Sequence, residues 1–241
     1  MRPIVLVHGA WHGPWCWDHV AGRLRDLGHD VEAVTLPGHD HPGDHRRIWN
    51  RISQYVGCVA AAAERHEQPV LVGHSMGGYT IQRYLERGDT PASAAVLVAS
   101  VPWRGTLRPN LRAIRRHPAD TLLAAVLADY SRMVRTPEQV RELFFTGSTP
   151  DRAVEATAAQ LQNESFVAIN TMAFRRIRTS RISTPVTVIA AEGDAVFTMD
   201  EQRELASAYG TQALAIAGGH DMMLDEHWPE LAAAIHAAAA D

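Results

Sequence analysis

The chain of 241 residues contains no lysine, so all 23 of its basic residues are arginines. The absence of a lysine amine excludes Schiff-base and lysine-base chemistry. Only two cysteines occur, Cys16 and Cys58; they fit no metal-ligand spacing, and we expect free thiols in a reducing compartment. No apolar run approaches about 18 residues, and no charged apolar leader precedes the first predicted strand. We therefore expect a soluble, cytoplasmic protein.

A large excess of charge is also lacking. The formal net charge is −4, which gives no electrostatic reason to expect a nucleic acid or an anionic membrane as a partner. The hydrophobic fraction of 46% and the length fit one α/β domain with an ample core. We expect a monomer or homodimer whose partner is a small molecule.

Short apolar runs alternate with amphipathic segments along most of the chain. This alternation predicts the α/β class, with a mostly parallel sheet of about six strands flanked by helices. The predicted strands are residues 4–7, 31–36, 69–72, 94–99, 185–191 and 212–217. The predicted helices outside the middle of the chain are residues 15–27, 48–64, a helix directly after residue 75, 199–208 and a C-terminal helix through residue 238.

The alternation is interrupted between the strand that ends near Ser100 and the strand that starts near Pro185. Arginine-rich turns and helical segments fill this stretch, with helices predicted at residues 119–133, 137–145, 150–163 and 165–174. A strand-free connection of some eighty residues is too long for an ordinary loop. We expect residues 103–183 to form a helical cap over the site, and residues 1–102 and 184–241 to form the core.

Residues 39–47 form a polar stretch that contains three histidines. Their spacing matches no recognised metal site, and the composition is typical of a loop. We interpret the stretch as a surface loop.

The sequence GHSMG at residues 73–77 stands between a predicted strand and a predicted helix. This is the G-x-S-x-G nucleophile elbow in its expected setting. Glycines next to the serine remove Cβ atoms that would collide in so tight a turn. The alternative is a glycine-rich turn that closes the fold and performs no chemistry.

A serine nucleophile needs a base, and the base needs a group that fixes its tautomer. In this architecture the order along the chain is serine, acid, histidine, each after a strand. His220 follows the last predicted strand, and Asp194 follows the strand before it. The predicted triad is therefore Ser75, Asp194 and His220, with Glu192 and Asp200 as competitors for the acid.

An oxyanion needs two backbone amides. Met76 supplies one from the helix N-terminus, and the glycine-bearing loop after the first strand supplies the other, from Ala10. His8 and His74 lie beside these motifs, and we assign both of them structural hydrogen-bonding roles.

Three segments carry a family resemblance: HGAWHGPWCW at residues 8–17, GHSMGG at 73–78 and GGHDMM at 218–223. They resemble the α/β-hydrolase superfamily, and within it the group of plant methylesterases, hydroxynitrile lyases and bacterial esterases acting on aromatic or pesticide-like esters. The resemblance covers nearly the whole chain and implies the same triad and oxyanion hole. Lyases of the group carry threonine where this chain has Gly9, and a lysine that stabilises cyanide where it has Asp221. Hydrolysis is therefore favoured over lyase chemistry.

The prediction is a serine hydrolase that cleaves a small to medium, apolar or aromatic carboxylic ester, or a carbamate ester or lactone, without metal or cofactor. A lyase of hydroxynitrile type and a non-catalytic receptor on a hydrolase scaffold are the alternatives. Asp221 either lies near His220 and raises the pKa of that histidine, or caps the C-terminal helix near Leu224. The predicted substrate contacts are Trp11, Trp103, Leu122, Phe144, Phe145, Phe166 and Met172.

Overall fold

The computed structural model describes residues 1–46, 48–88 and 90–240. Its centre is a six-stranded sheet in the order β2-β1-β3-β4-β5-β6, in which every observed pairing is parallel. The strands are β1 (Ile4–Val7), β2 (Val31–Val34), β3 (Val70–His74), β4 (Ala94–Val98), β5 (Val186–Ala191) and β6 (Ala213–Ile216). The predicted fold class is confirmed.

The central strands are buried on both faces, which explains their unbroken apolar sequences. In β1, Val5 and Val7 belong to one core cluster, whereas Ile4 and Leu6 belong to the cluster on the opposite face. All four side chains are fully buried. This is the period of two that a strand imposes, with helices covering each side of the sheet.

Ten α-helices are present in the part of the chain that the structure describes. They are α1 (Asp18–Asp26), α2 (Ile52–Ala63), α3 (Met76–Leu85), α4 (Leu107–Arg116), α5 (Pro118–Leu127), α6 (Pro137–Phe144), α7 (Asp151–Ala158), α8 (Phe166–Phe174), α9 (Met199–Ala208) and α10 (Trp228–Ala240). Short 3₁₀ turns occur at Pro14–Trp17, Tyr130–Met133 and Thr179–Arg181. None of these helices is long and apolar enough to cross a membrane.

Helices α4 to α8 all lie between β4 and β5, and no strand occurs in this stretch of described residues. The sequence pattern does not predict α4, because arginines conceal the apolar positions of this helix. Proline in the first turn of a helix is tolerated, since the amide it lacks would have no partner there. The helix predicted at residues 119–133 instead ends at Leu127 and is followed by the 3₁₀ turn.

The interpretation of residues 39–47 as a surface loop is wrong for its first residue. His39 is 1% exposed, and its Nε2 lies 3.0 Å from Oε2 of Glu164, which is itself fully buried. This contact with Glu164, which is 125 residues away in sequence, explains why His39 is buried. The last residue of the predicted loop, Arg47, lies outside the described residues.

Candidate active site

Ser75 occupies a strained turn between β3 and α3. Its backbone angles are φ 51° and ψ −114°, in a region that non-glycine residues rarely adopt. A Cβ atom on Gly73 would lie 2.6 Å from the backbone nitrogen of Gly78, and one on Gly77 would lie 2.6 Å from the carbonyl oxygen of His8. Only glycine fits these close approaches, which is the steric reason anticipated from the sequence. The turn holds the Ser75 side chain at the carboxyl end of a central strand.

His220 and Asp194 meet at the same edge of the sheet. Nδ1 of His220 lies 2.9 Å from Oδ2 of Asp194, and both side chains are almost fully buried. The other oxygen, Oδ1, accepts the backbone N–H groups of Val196 at 2.7 Å and Phe197 at 3.0 Å. The carboxylate is therefore held in place by the loop that follows β5.

Burial alone would lower the pKa of His220. The negative charge of Asp194 and its hydrogen bond raise this pKa, and the negative charge of Asp221 raises it further. The pKa of His220 therefore lies above its ordinary value. A carboxylate at Nδ1 also fixes the proton on that nitrogen and leaves Nε2 as the basic one.

The two competing acids lie elsewhere. Glu192 is exposed, and Asp200 is an exposed residue of α9 whose Oδ1 accepts a hydrogen bond from Arg203 at 3.0 Å. Neither contacts His220.

The amides of Ala10 and Met76 donate no hydrogen bond within residues 1–46, 48–88 and 90–240. Ala10 lies in the loop after β1, and Met76 is the first residue of α3. Because a helix leaves its first amides without internal partners, the Met76 N–H is available to an anion.

His74 and His8 make backbone hydrogen bonds at the edges of this site. His74 Nε2 donates to the carbonyl oxygen of His220 at 3.1 Å, and His8 Nε2 accepts the N–H of Leu36 at 3.2 Å. Burial, followed by the proximity of other histidines, lowers the pKa of both imidazoles well below the ordinary value. Both rings are therefore neutral hydrogen-bonding groups.

Asp221 does not cap a helix. Its backbone oxygen, not its side chain, accepts the N–H of Leu224 at 2.8 Å, and α10 begins only at Trp228. The fully buried carboxylate places Oδ2 2.9 Å from Nε2 of His12 and Oδ1 3.5 Å from Nε2 of His74. A buried charge is stable only beside a partner, and the local pattern around Asp221 could not reveal one that is 209 residues away.

His12 completes this cluster. Its Nδ1 lies 2.7 Å from the carbonyl oxygen of Ala10, which can only accept a hydrogen bond, so Nδ1 carries a proton. The 2.9 Å contact between Nε2 and Oδ2 of Asp221 is a second hydrogen bond of the same ring, between two buried side chains. The pair joins the loop that carries Ala10 to the loop that carries His220.

Ligand atoms of His74, His220 and Asp221 lie within 4.8 Å of one another, which is the approach that a metal site would need. Hydrogen bonds already engage part of this cluster, since Nε2 of His74 donates to a carbonyl oxygen. Nδ1 of His220 is likewise engaged by Asp194.

Ser75 and His220 both line a cavity of about 190 Å³. Of the seven predicted substrate contacts, Trp11 and Phe144 line it as well, and the Phe144 ring is stacked on the ring of His220 with centroids 5.9 Å apart. The lining residues that the sequence did not predict are Pro109, Asn110, Arg112, Ala113, Arg116, His117, Asp120, Thr121, Met133, Gln139, Glu142, Leu143, Ala195 and Val196. Many of them come from α4 and α5, so the missed helix is the reason they were overlooked.

The other five predicted contacts lie outside the lining of this cavity. Phe145 and Met172 are buried in core clusters, and Trp103 packs against a core cluster. Leu122 is 65% exposed on α5, and Phe166 is stacked on Tyr130. Apolar character alone does not distinguish a residue that lines a cavity from one that fills a core.

The chain is similar to several known proteins. The profile described as alpha/beta hydrolase family matches residues 4–234. Esterase PIR7B from Oryza sativa subsp. japonica is 40% identical over 103 residues, which are 41% of this chain and 38% of the rice protein. Carbendazim hydrolyzing esterase from Nocardioides sp. (strain SG-4G) is 37% identical over 110 residues, or 44% of this chain and 45% of that protein.

These alignments span less than half the length of either relative. A solved structure, an extracellular alpha/beta-hydrolase from a Paenibacillus species, aligns over 100% of both chains with a TM-score of 0.79 and 19% identity, which is evidence for the fold alone. Together with the family profile over residues 4–234, the sheet and the serine turn lead to one conclusion: the chain belongs to the α/β-hydrolase family.

Proposed function

We propose that the protein hydrolyses small to medium, apolar or aromatic carboxylic esters by acyl transfer to Ser75. The observation that carries this proposal is the buried 2.9 Å contact between His220 and Asp194 at the cavity that Ser75 lines. The presence of two named esterases among the relatives supports the same reaction class.

In the proposed mechanism, Nε2 of His220 removes the Ser75 hydroxyl proton while the oxygen attacks the ester carbonyl carbon. Asp194 holds the imidazole in the required tautomer and stabilises the imidazolium. The amides of Ala10 and Met76 donate to the oxyanion, which gains charge in the transition state. His220 then protonates the leaving alcohol and activates the water that hydrolyses the acyl-enzyme.

The cavity supports a compact apolar substrate. Its volume of about 190 Å³ is small for a ligand site, and Trp11, Phe144, Leu143, Met133 and Val196 give it apolar walls. A carbamate ester or a lactone presents the same carbonyl to Ser75 and belongs to the proposed substrate range.

Gly9 and Asp221 argue against the lyase alternative. A Cβ atom on Gly9 would lie 2.6 Å from Nδ1 of His74 and 3.1 Å from Cβ of Ser75, so a threonine there would require a shift in the loop. Asp221 supplies negative charge where a lyase needs a cation for the departing cyanide.

A fluorophosphonate probe followed by a panel of p-nitrophenyl esters tests the proposal. We expect one equivalent of probe to attach to Ser75 and to abolish turnover. A receptor on a hydrolase scaffold would release product only once per molecule, so steady-state turnover beyond one equivalent excludes the non-catalytic alternative. Cleavage of a cyanohydrin without ester hydrolysis would instead favour the lyase.

A further inference from the structure

A surface cleft of about 650 Å³ lies between the start of α2, the end of α3 and the segment 175–181. Seven arginines of the described residues line it: Arg51, Arg83 near the end of α3, Arg87 just after that helix, and four from the segment 175–181. Glu86 is the one acid among the described residues of the lining, which together have a formal charge of +6, so the rest of a chain of net charge −4 carries −10. The modest net charge therefore conceals a concentrated positive site, which we call the arginine cleft.

Few of these cations are neutralised by the protein. Arg83 pairs with Glu86, with Nη1 and Oε2 2.6 Å apart. Within the described parts of the chain, the four arginines of the segment 175–181 form no ion pair; they are Arg175, Arg176, Arg178 and Arg181. Their mutual repulsion is unfavourable in the free protein, and a bound anion would relieve it.

The backbone of this segment is held firmly against α3. The Tyr79 hydroxyl donates to the carbonyl oxygen of Arg175 at 2.7 Å, and Arg83 donates to that of Arg176 at 3.3 Å. The N–H of Arg178 donates to Oε1 of Glu86 at 2.9 Å. The side chains of these arginines are exposed. Their backbone positions are therefore fixed, while their guanidinium groups are accessible to a ligand.

We propose that the arginine cleft binds a small polyvalent anion that carries two or more phosphate groups. The planar fork of a guanidinium group donates two parallel hydrogen bonds to a phosphate, and several adjacent forks suit a ligand with several such groups. The hydroxyl group of Ser53 also lines the cleft and is a further donor, whereas the Thr171 hydroxyl already donates to the carbonyl oxygen of Val167 at 2.7 Å. This site is separate from the cavity at Ser75, since no described residue lines both of them.

The lining favours a small ligand over a macromolecule. Single-stranded nucleic acids bind where aromatic side chains stack on successive bases, and the lining of the cleft contains no aromatic residue among the described residues. Helices that lie on a membrane bury an apolar face in the lipid, whereas this site is a largely polar concavity.

Calorimetric titration of the intact protein with sodium tripolyphosphate at low ionic strength tests the proposal, because salt screens exposed charges. We expect saturable binding of one ligand and a rise in the melting temperature with ligand concentration. The triple variant Arg176→Gln/Arg178→Gln/Arg181→Gln should weaken binding by at least about tenfold, which is the loss expected if only one of the three arginines makes a charge-assisted contact with the ligand.

The matched control is Arg23→Gln/Arg115→Gln/Arg152→Gln, which removes the same charge from exposed sites outside the cleft. We expect this control to change the affinity by less than about twofold. Equal weakening in both variants, or no saturable binding to the unaltered protein, would overturn the proposal. Tighter binding to phosphatidylserine vesicles or to an oligonucleotide than to tripolyphosphate would also overturn it.

Discussion

The carboxylate of Asp221 lies 2.9 Å from Nε2 of His12, and both side chains are buried. His12 is in turn bonded through Nδ1 to the carbonyl oxygen of Ala10 at 2.7 Å. The loop that follows β6 and carries His220 is thereby tied to the loop that follows β1. In the proposed mechanism, the base and one oxyanion donor are positioned by the same pair.

Asp221→Asn should move the pH dependence of hydrolysis. The base acts only when neutral, so kcat/KM rises with pH through the pKa of His220. The carboxylate of Asp221 is one of the causes that raise this pKa, after the effects of burial and Asp194. Removing the charge of Asp221 should therefore shift the rising limb of the curve of kcat/KM against pH to lower pH.

Asp225→Asn is the control for that shift, because Asp225 is in the same loop and is not among the charges that act on His220. Its limb should coincide with that of the unaltered enzyme. Asp221→Asn should also destabilise the fold by about 3 kcal/mol, since it leaves a buried imidazole without its partner. A limb that stays in place would mean that Asp221 has only a structural role.

Asp194→Asn should lower kcat by about 10⁴-fold, because the amide no longer fixes the imidazole tautomer. Asp200→Asn, on the exposed face of α9, should change kcat by less than about twofold. Steady-state kinetics on one p-nitrophenyl ester compares the two variants. The opposite ranking would transfer the acid role to Asp200.

The sequence predicts the serine turn, the acid and the histidine of the site because the causes of their positions are local or topological. The need for glycine at residues 73 and 77 can be recognised from five consecutive residues of the sequence. Asp194 and His220 can be recognised because each follows a strand of a parallel sheet. The contact between His12 and Asp221 has no local signal, because its partners are 209 residues apart. The cavity walls from α4 were missed for a related reason, since the arginines of that helix resemble a polar turn.

Phe144→Ala should widen the range of acyl groups. The ring lines the cavity beside His220, so its removal should raise kcat/KM for a bulky aryl ester relative to an acetyl ester by about tenfold or more. Phe145→Ala is the matched control, since that ring is also buried but lies outside the cavity. Both changes should destabilise the fold by about 3 to 5 kcal/mol. Only Phe144→Ala should alter the ratio of kcat/KM values for the two esters.

Glu164→Gln should destabilise the fold by about 3 to 5 kcal/mol, because Glu164 is a buried acid bonded to His39 at 3.0 Å and to the Tyr55 hydroxyl at 3.0 Å. Burial lowers the pKa of His39, but the charge and hydrogen bond of Glu164 outweigh burial and raise it. A raised histidine pKa stabilises the fold below the unfolded pKa, and this stabilisation is lost as pH rises through the folded pKa.

Denaturant unfolding at about pH 6 and at about pH 9 measures this effect. The difference between the unaltered protein and Glu164→Gln should be larger at the lower pH. Glu155→Gln, an exposed residue of α7, should have little effect at either pH. A difference that grows with pH would contradict a charged pair.

Ser75→Ala combined with active-site labelling is the most direct measurement of the proposed chemistry. The variant should fold normally, bind no fluorophosphonate and hydrolyse the best p-nitrophenyl ester about three to six orders of magnitude more slowly than the unaltered protein. Activity that stays within about tenfold, from a variant with an unchanged melting temperature, would contradict Ser75 as the nucleophile.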